Sequence, residues 1–401
     1  MASFPPPPVN TIDWSNVGFR VREVNGHIES HYSKKTGKWT PPQFVTDPYI
    51  RIHGMAPALN YGQQAYEGLK AFRNPSGGIQ IFRPDRNAAR MQHSAEFISV
   101  PPVPTDLFVD AVKAAVALNA EYVPPHETGA AMYIRPQIYG SSAQLGLSPP
   151  EEYMFCVYVL PTGVYHGTHP VNGLILDDFD RAAPNGTGSA KVGGNYAPVL
   201  RWSDKARAEG YDITLHLDSA THSEIDEFST SGFIGAIVEG NDVTLVVPDS
   251  KNVIQSVTAN SITDIGRSFG WKVETRSIKY TELPRFSEVM AAGTAAALVP
   301  IRSITRRFDP ASPQSISSAS RGGHPRLSTE GGSEKVTYIP ESNEDAGPIC
   351  LRLLTQLKGI QLGKVKDDFS WCVAVSREDG VKVTGETNWA HKNGETIDQL
   401  D

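Results

Sequence analysis

The stretch Arg181 to Ala197, RAAPNGTGSAKVGGNYA, sets a single lysine, Lys191, between two glycine-rich flanks, and few folding requirements produce that arrangement. Gly186, Gly188, Ser189, Ala190, Gly193 and Gly194 remove the side chains that would crowd an ammonium group, so the backbone is free to come close to something. A phosphate-cradling P-loop needs Gly-Lys followed by Ser or Thr. Here Ala190 precedes the lysine and Val192 follows it, so the nucleotide reading fails on spacing. A lysine used as an amine remains: it must be deprotonated to attack a carbonyl, and a sheltered, partly apolar site favours that form. The other reading is a glycine-rich surface turn with an incidental lysine, and the segment alone does not separate the two.

Around this loop, 401 residues suffice for two domains, each with its own core. At 39% hydrophobic and 20% charged the chain is globular in composition, with no apolar run long enough to span a bilayer. A net charge of −7 and the absence of like-charge blocks give no reason to expect nucleic acid or membrane partners, which leaves a small molecule. Cys156, Cys350 and Cys372 are too few and too far apart for a disulfide framework or a thiolate site. The eleven histidines lack metal-ligand spacing, so no metal is expected. Met1 to Asn10, MASFPPPPVN, has neither a signal core nor transit-peptide character; it reads as a flexible arm, and a cytoplasmic location is expected.

Periodicity then divides the chain. Tyr49 to Ile52 and Gly78 to Phe82 read as strands, Pro84 to Ile98 and Thr105 to Tyr122 as helices, and Ala130 to Gly140 and Glu152 to Leu160 as strands. Pro161 to Gly173 breaks all periodicity and reads as a domain boundary. Beyond it, Leu174 to Asp177 reads as a strand and about Asn195 to Glu209 as a helix ending at Gly210. Asp212 to Leu217, Ser223 to Phe228, Phe233 to Val238 and Val243 to Val247 alternate like an antiparallel meander. Arg306 to Lys335, rich in Ser, Gly, Pro and Arg, reads as a long mobile loop. Within the first half, Arg135 stands in mid-strand; facing inward it needs an anion to meet it, and facing outward on an edge strand it needs nothing.

Seven stretches, in order, carry a resemblance. LNYGQQAYEGLKAFR (residues 59–73) resembles the YGQSxFEGxKAYR signature of the branched-chain amino acid aminotransferase family, the fold-type IV enzymes that use pyridoxal 5'-phosphate (PLP), and IFRPDRNAARM (81–91) resembles its LFRPxxNxxRM. AAMYIRPQIYG (130–140) is similar to its YIRPLIY strand, and the Lys191 loop to its lysine loop. EIDEFSTSGFIGAI (224–237) resembles TExGTxNIF, with Gly232 in place of the usual asparagine. AAGTAAALVPI (291–301) matches the GTA turn, and the stretch 347–371 the closing helix and its IQxGxxxDxxxW tail. The likeness runs from about residue 45 to 372.

The resemblance implies an α/β (α+β) fold-type IV enzyme with PLP in the cleft between two domains. It implies Lys191 as the catalytic lysine that holds PLP, Arg90 on its phosphate, Tyr196 on its phenolate oxygen, Glu227 at the pyridine nitrogen, and the amides of Val257 and Thr258 with Thr294 on the phosphate. The other reading of Arg90 is a surface salt bridge. Tyr61, Tyr66, Lys70, Tyr133, Arg135, Thr294 and Ala295 would contact substrate, with Arg135 receiving a distal carboxylate. The expected organisation is an amino-terminal arm and leading segment over 1–44, a small domain over 45–165, a linker over 166–172, a large domain over 173–401, and a homodimer. The implied activity moves an amino group between an L-branched-chain amino acid and 2-oxoglutarate; the rival readings are an R-selective amine or D-amino acid transaminase and a non-catalytic PLP-binding protein.

Overall fold

A computed structural model describes residues 3–164, 169–307, 326–330 and 332–383. The apolar alternation of the first part of the chain is spent on one antiparallel sheet: β1 (His27–Ser33), β2 (Lys38–Trp39), β3 (Gln43–Val45), β4 (Gln64–Tyr66), β5 (Leu69–Arg73), β6 (Ile79–Phe82), β7 (Ala131–Gly140) and β8 (Glu152–Thr162). In β7 the period-two pattern buries Met132, Ile134 and Ile138 and puts Tyr133, Arg135, Gln137 and Tyr139 on the opposite face. The buried face packs on helices α2 (Pro84–Phe97) and α3 (Thr105–Ala117), through Met91, Ala95, Phe108 and Val112. Phe108 stacks on Phe155 at 5.8 Å, both fully buried, and burial of such a ring contributes about 1.5–3 kcal/mol. A short helix, α1 (Pro57–Asn60), precedes β4.

The second sheet mixes parallel and antiparallel pairs. It contains β9 (Val171–Ile175), β10 (Ile213–Leu217), β11 (Ile225–Phe228), β12 (Gly232–Glu239), β13 (Asp242–Pro248), β14 (Lys272–Arg276), β15 (Glu288–Gly293) and β16 (Ala297–Arg307), in the order β11-β10-β9-β16-β15-β12-β13-β14. Helices α4 (Leu200–Ala208), α5 (Val257–Ser268) and α6 (Pro348–Gln361) accompany it; Ile262 and Ile265 of α5 and Leu353, Leu357 and Ile360 of α6 share one core with Ile234, Met290 and Leu298. This family of layers is a mixed α/β fold.

Several expectations are corrected. Residues 49–52 form no strand, and β1 to β3 place residues 27–45 within the first sheet. Even the leading residues are laid on the fold: the Val9 amide donates to Glu121 O at 3.0 Å and the Trp14 indole to Val9 O at 2.8 Å. The first sheet also receives β19 (Cys372–Val375), which pairs antiparallel with β6, so this strand from after α6 returns to the first unit. Helix α3 stops at Ala117 because Asn119 leaves helical geometry and donates its side-chain amide to Ala115 O and Gly26 O. The helix after the lysine loop starts at Leu200, preceded by two 3-10 turns, since Asn195 spends its amide on Thr187 O and Ala190 O inside the loop. Of the expected mobile loop, residues 308–325 lie outside the described residues, while β17 (Arg326–Glu330) and β18 (Ser333–Thr337) form an antiparallel hairpin that extends the sheet from β16.

Candidate active site

The lysine loop is anchored from both sides. The Lys191 amide donates to Ser94 Oγ of α2 at 2.8 Å, its carbonyl accepts from the Tyr66 amide at 3.1 Å, and Val192 bridges to Ala65 of β4. Two of its glycines serve close approach to protein. A Cβ on Gly188 would lie 2.5 Å from Asn252 O, and one on Gly193 would lie 1.8 Å from Gln64 Nε2. So the surface-turn reading fails: the loop is wedged between the two sheets. Lys191 Nζ donates to the Tyr196 hydroxyl at 2.8 Å and sits 4.7 Å from the Tyr66 ring centre. The two tyrosine rings meet edge to face at 5.2 Å, so both flanks of the amine are aromatic, and burial pushes the Tyr66 phenol above its ordinary pKa.

Below the lysine lies Glu227, at the end of β11. It is fully enclosed, ion-paired with Arg181, and accepts the Ile254 amide at 3.2 Å. Burial pushes its carboxyl up to about 7 against the pull of Arg181. Arg181 also donates to Gly188 O and Asn252 O, which ties the acid to the lysine loop. Sequence reasoning missed Arg181 although it opens the stretch that drew attention to Lys191; the glycine pattern pointed away from it.

Arg90 is not a surface salt bridge. Its guanidinium forms a bidentate pair with Glu67 at 2.7 and 2.6 Å and donates to Gln255 O at 3.0 Å. Three of its five N–H donors are so used, leaving two. Glu67, fully buried and also held by Asn87 at 2.7 Å, is a second residue that went unread, though it stands inside the quoted YEG triplet. Gln255 leads into α5, where Ser256 caps the helix by accepting the Ala259 amide at 3.1 Å. The amides of Val257 and Thr258 have no partner among the described residues. Gly232 faces this helix start, where a Cβ would meet Ser256 Cβ at 3.3 Å.

On the first sheet, Arg135 lies over the rings of Tyr66 and Tyr133 at 5.0 and 5.1 Å and donates to the Tyr133 hydroxyl at 3.2 Å. It meets no carboxylate among the described residues, and its Nε is buried without a partner. Gly68 makes room for that arrangement, since a Cβ there would lie 2.0 Å from the Tyr133 hydroxyl. Beside Arg135 opens a cleft of about 410 Å³ whose other wall is Ile50, Ile52, Ala58 and Leu59. Lys70, buried and held well below its ordinary pKa by that burial, donates to Ala295 O at 2.6 Å. Thr294 donates to Gly68 O at 3.1 Å, so the turn 294–295 is fastened to β5 from two sides. Tyr61 is the one residue of the expected set that the fold turns away. It ends α1 nearly half exposed and donates to Leu145 O at 2.5 Å, so within one subunit it makes no contact with the Lys191 cluster.

A model of the amino-transferase class IV family matches residues 64–304, more than half of the chain. The chain belongs to the class IV aminotransferases. It is 53% identical to aminotransferase poxL of Penicillium oxalicum over 93% of this chain and 95% of that protein. It is 50% identical to the branched-chain amino acid aminotransferase gloG of Glarea lozoyensis, over 94% of this chain and 99% of that one. The branched-chain amino acid aminotransferase of Escherichia coli shares the fold at a TM-score of 0.65 and 21% identity, covering 87% of this chain and 99% of that chain. Members of this class are PLP-dependent enzymes, and this chain is a fold-type IV aminotransferase. No helix among the described residues is long and apolar enough to cross a membrane.

Proposed function

We propose that this aminotransferase moves an amino group between an L-branched-chain amino acid and 2-oxoglutarate. The observation that carries the reading is Arg135: a guanidinium, paired with no acid among the described residues, on a wall that is aromatic and aliphatic apart from the amides of Gln64 and Gln137. Such a wall takes leucine, isoleucine or valine against its apolar surface and gives the distal carboxylate of glutamate a charge-assisted partner.

The donor set fits PLP. The free amides of Val257 and Thr258, the two remaining Arg90 donors and the absence of a side chain at Gly232 suit a phosphate at the start of α5; Thr294 would join them by releasing Gly68. Tyr196 suits a phenolate oxygen, Glu227 the ring nitrogen, and Lys191 the carbonyl carbon. Bound there, PLP supplies an electron sink for charge that develops at the substrate's Cα. The protein's own part is proton traffic and orientation. Lys191 Nζ, aimed by the Tyr196 hydroxyl, takes the proton from Cα as general base and later returns one as general acid. Glu227 holds a proton at the ring nitrogen, with Arg181 keeping the carboxylate charged beside it. The amides of the 294–295 turn, set by Lys70 and Thr294, orient the α-carboxylate, and Tyr66 and Tyr133 exclude water from the reacting carbon.

The test is a panel of amino donors against 2-oxoglutarate, run on the native enzyme and on Arg135→Leu. Loss of a charge-assisted bond in a sheltered pocket costs about 1.5–3 kcal/mol, so the ratio of kcat/KM for glutamate over leucine should fall roughly ten- to a hundredfold. Stopped-flow half-reactions measure the two arms separately. Equal losses with both donors would make Arg135 structural, and comparable rates with amines that lack a carboxylate would move the enzyme to the amine-transaminase branch.

The same reading includes a homodimer. Leu59, Tyr61, Leu145 and Leu147 are 47–88% exposed, and the Gln144 amide donates to Met55 O at 3.2 Å, which joins their two segments into one apolar patch beside the cleft. Sedimentation should therefore give twice the chain mass of 43.6 kDa. Leu147→Asp should shift the protein to monomer and cut activity; a native protein that sediments as a fully active monomer would refute the dimer.

A further inference from the structure

We infer that His216, working through Ser229 and Thr214, is a positioning residue that sets where Glu227 points; this rests on the role given to Glu227 above. Strands β10 and β11 pair Leu215 with Phe228 and Leu217 with Ile225, so the interval between those pairs holds one residue of β10, His216, and two of β11, Asp226 and Glu227. That is a β-bulge, which takes two consecutive side chains out of strict alternation and re-aims them. Both carboxylates are accordingly buried, and both reach the same segment: Asp226 accepts from Ser250 Oγ at 2.7 Å, and Glu227 accepts the Ile254 amide at 3.2 Å. Without the bulge, one of the two would face the opposite side of the sheet.

A bulge leaves a gap in the ladder, so something must fix where regular pairing resumes. Here it is the group opposite. His216, 2% exposed, has Nε2 at 3.0 Å from Ser229 Oγ; the Ser229 amide donates to Thr214 O at 2.9 Å, and the Ser229 and Thr214 hydroxyls are bonded to each other. Ser229 follows Phe228 at the end of β11, so this buried clamp closes the ladder two residues past Glu227. The same turn passes on to Ser231, whose Oγ a Cβ on Gly293 would meet at 2.7 Å, and to Gly232, the first residue of β12, which faces the start of α5. Its setting therefore reaches both the ring-nitrogen acid and the phosphate end of the site.

The charged groups facing this region are Arg181, Lys191 and Asp226 around Glu227, and Arg181 beside His216. Burial and the Arg181 charge hold the imidazole down to about 3, so His216 acts as a neutral hydrogen-bonding group and adds no second cation to compete for Glu227.

The test measures the PLP dissociation constant and its pH dependence on the intact chain, together with the melting temperature of the cofactor-free form. His216→Leu keeps volume but loses the bond to Ser229, and is expected to weaken PLP binding about tenfold and to displace the pH dependence set by Glu227. His216→Gln, whose amide can still meet Ser229, should return to within about threefold of native. If the leucine and glutamine variants bind PLP alike, or if binding falls only in step with the melting temperature and the pH dependence keeps its native midpoint, the inference is overturned. Should His216→Leu not fold, Ser229→Ala and Thr214→Val carry the same measurement, and native PLP affinity in both overturns it. Glu227→Gln runs alongside: if it binds PLP as the native chain does, the role of Glu227 itself fails, whereas a loss there with none in the His216 variants fails the clamp alone.

Discussion

Lys191→Ala is expected to slow transamination by about 10²–10⁴-fold, the usual worth of a positioned general acid–base group, with further loss from its part in holding the cofactor. Substrate and PLP should both still bind, because the Arg90–Glu67 pair, the start of α5 and Arg135 are built on other elements. The clearest check is chemical. Borohydride reduction of the native PLP-loaded protein, followed by peptide mapping, should place a phosphopyridoxyl label on Lys191, and the alanine variant should take none. A native protein that takes up no added PLP, or a label on Lys70, would contradict the assignment. Added methylamine supplies an amine of comparable basicity and should restore part of the lost rate, whereas a variant impaired by misfolding would not respond.

Glu227→Gln is the second large effect, expected near a hundredfold in kcat/KM, on the order of 3 kcal/mol. Glutamine keeps the volume and can still accept the Ile254 amide, but it cannot hold a proton at the ring nitrogen as a carboxylate does. It also leaves the buried Arg181 facing a neutral group, so some stability should be lost as well. The pH signature separates the two consequences. In the cofactor-free native protein burial raises this carboxyl from 4.5 to about 7. A raised folded-state pKa means that the stabilising contribution is present below pH 4.5 and is lost as pH rises through about 7. Glu227→Gln should remove that decline, so melting temperatures followed from pH 4.5 to 8 should fall less in the variant than in the native protein. Parallel pH profiles would show that Glu227 does not titrate in this range.

Local pattern made much of this legible. The alternation of AMYIRPQIYG predicts β7 and places Arg135 and Tyr133 together on one face, because strand geometry alone dictates which side chains share a side. Pro84 and the helical spacing of Met91 and Ala95 predict α2, and Lys191 between glycines marks the loop that the fold wedges between two sheets. Among the residues the motifs singled out, the fold brings Lys191, Tyr66, Tyr196, Tyr133 and Arg135 together, whereas the place of Tyr61 depends on the loop at Leu145 rather than on its neighbours in the chain.

What the sequence by itself determined was thus element type and facing, which depend on residues a few positions apart. Only the tertiary structure decided which strands pair. The expected meander from 212 to 247 is instead split, with β10 parallel to β9 and β12 antiparallel to β15, since such partners lie dozens of residues away and are chosen by the shared core rather than by local alternation. The same holds for charge. Arg181 on Glu227, Glu67 on Arg90 and His216 opposite the bulge are buried polar groups whose partners come from distant segments, and a burial penalty that must be met in space leaves no period in the chain by which to read it.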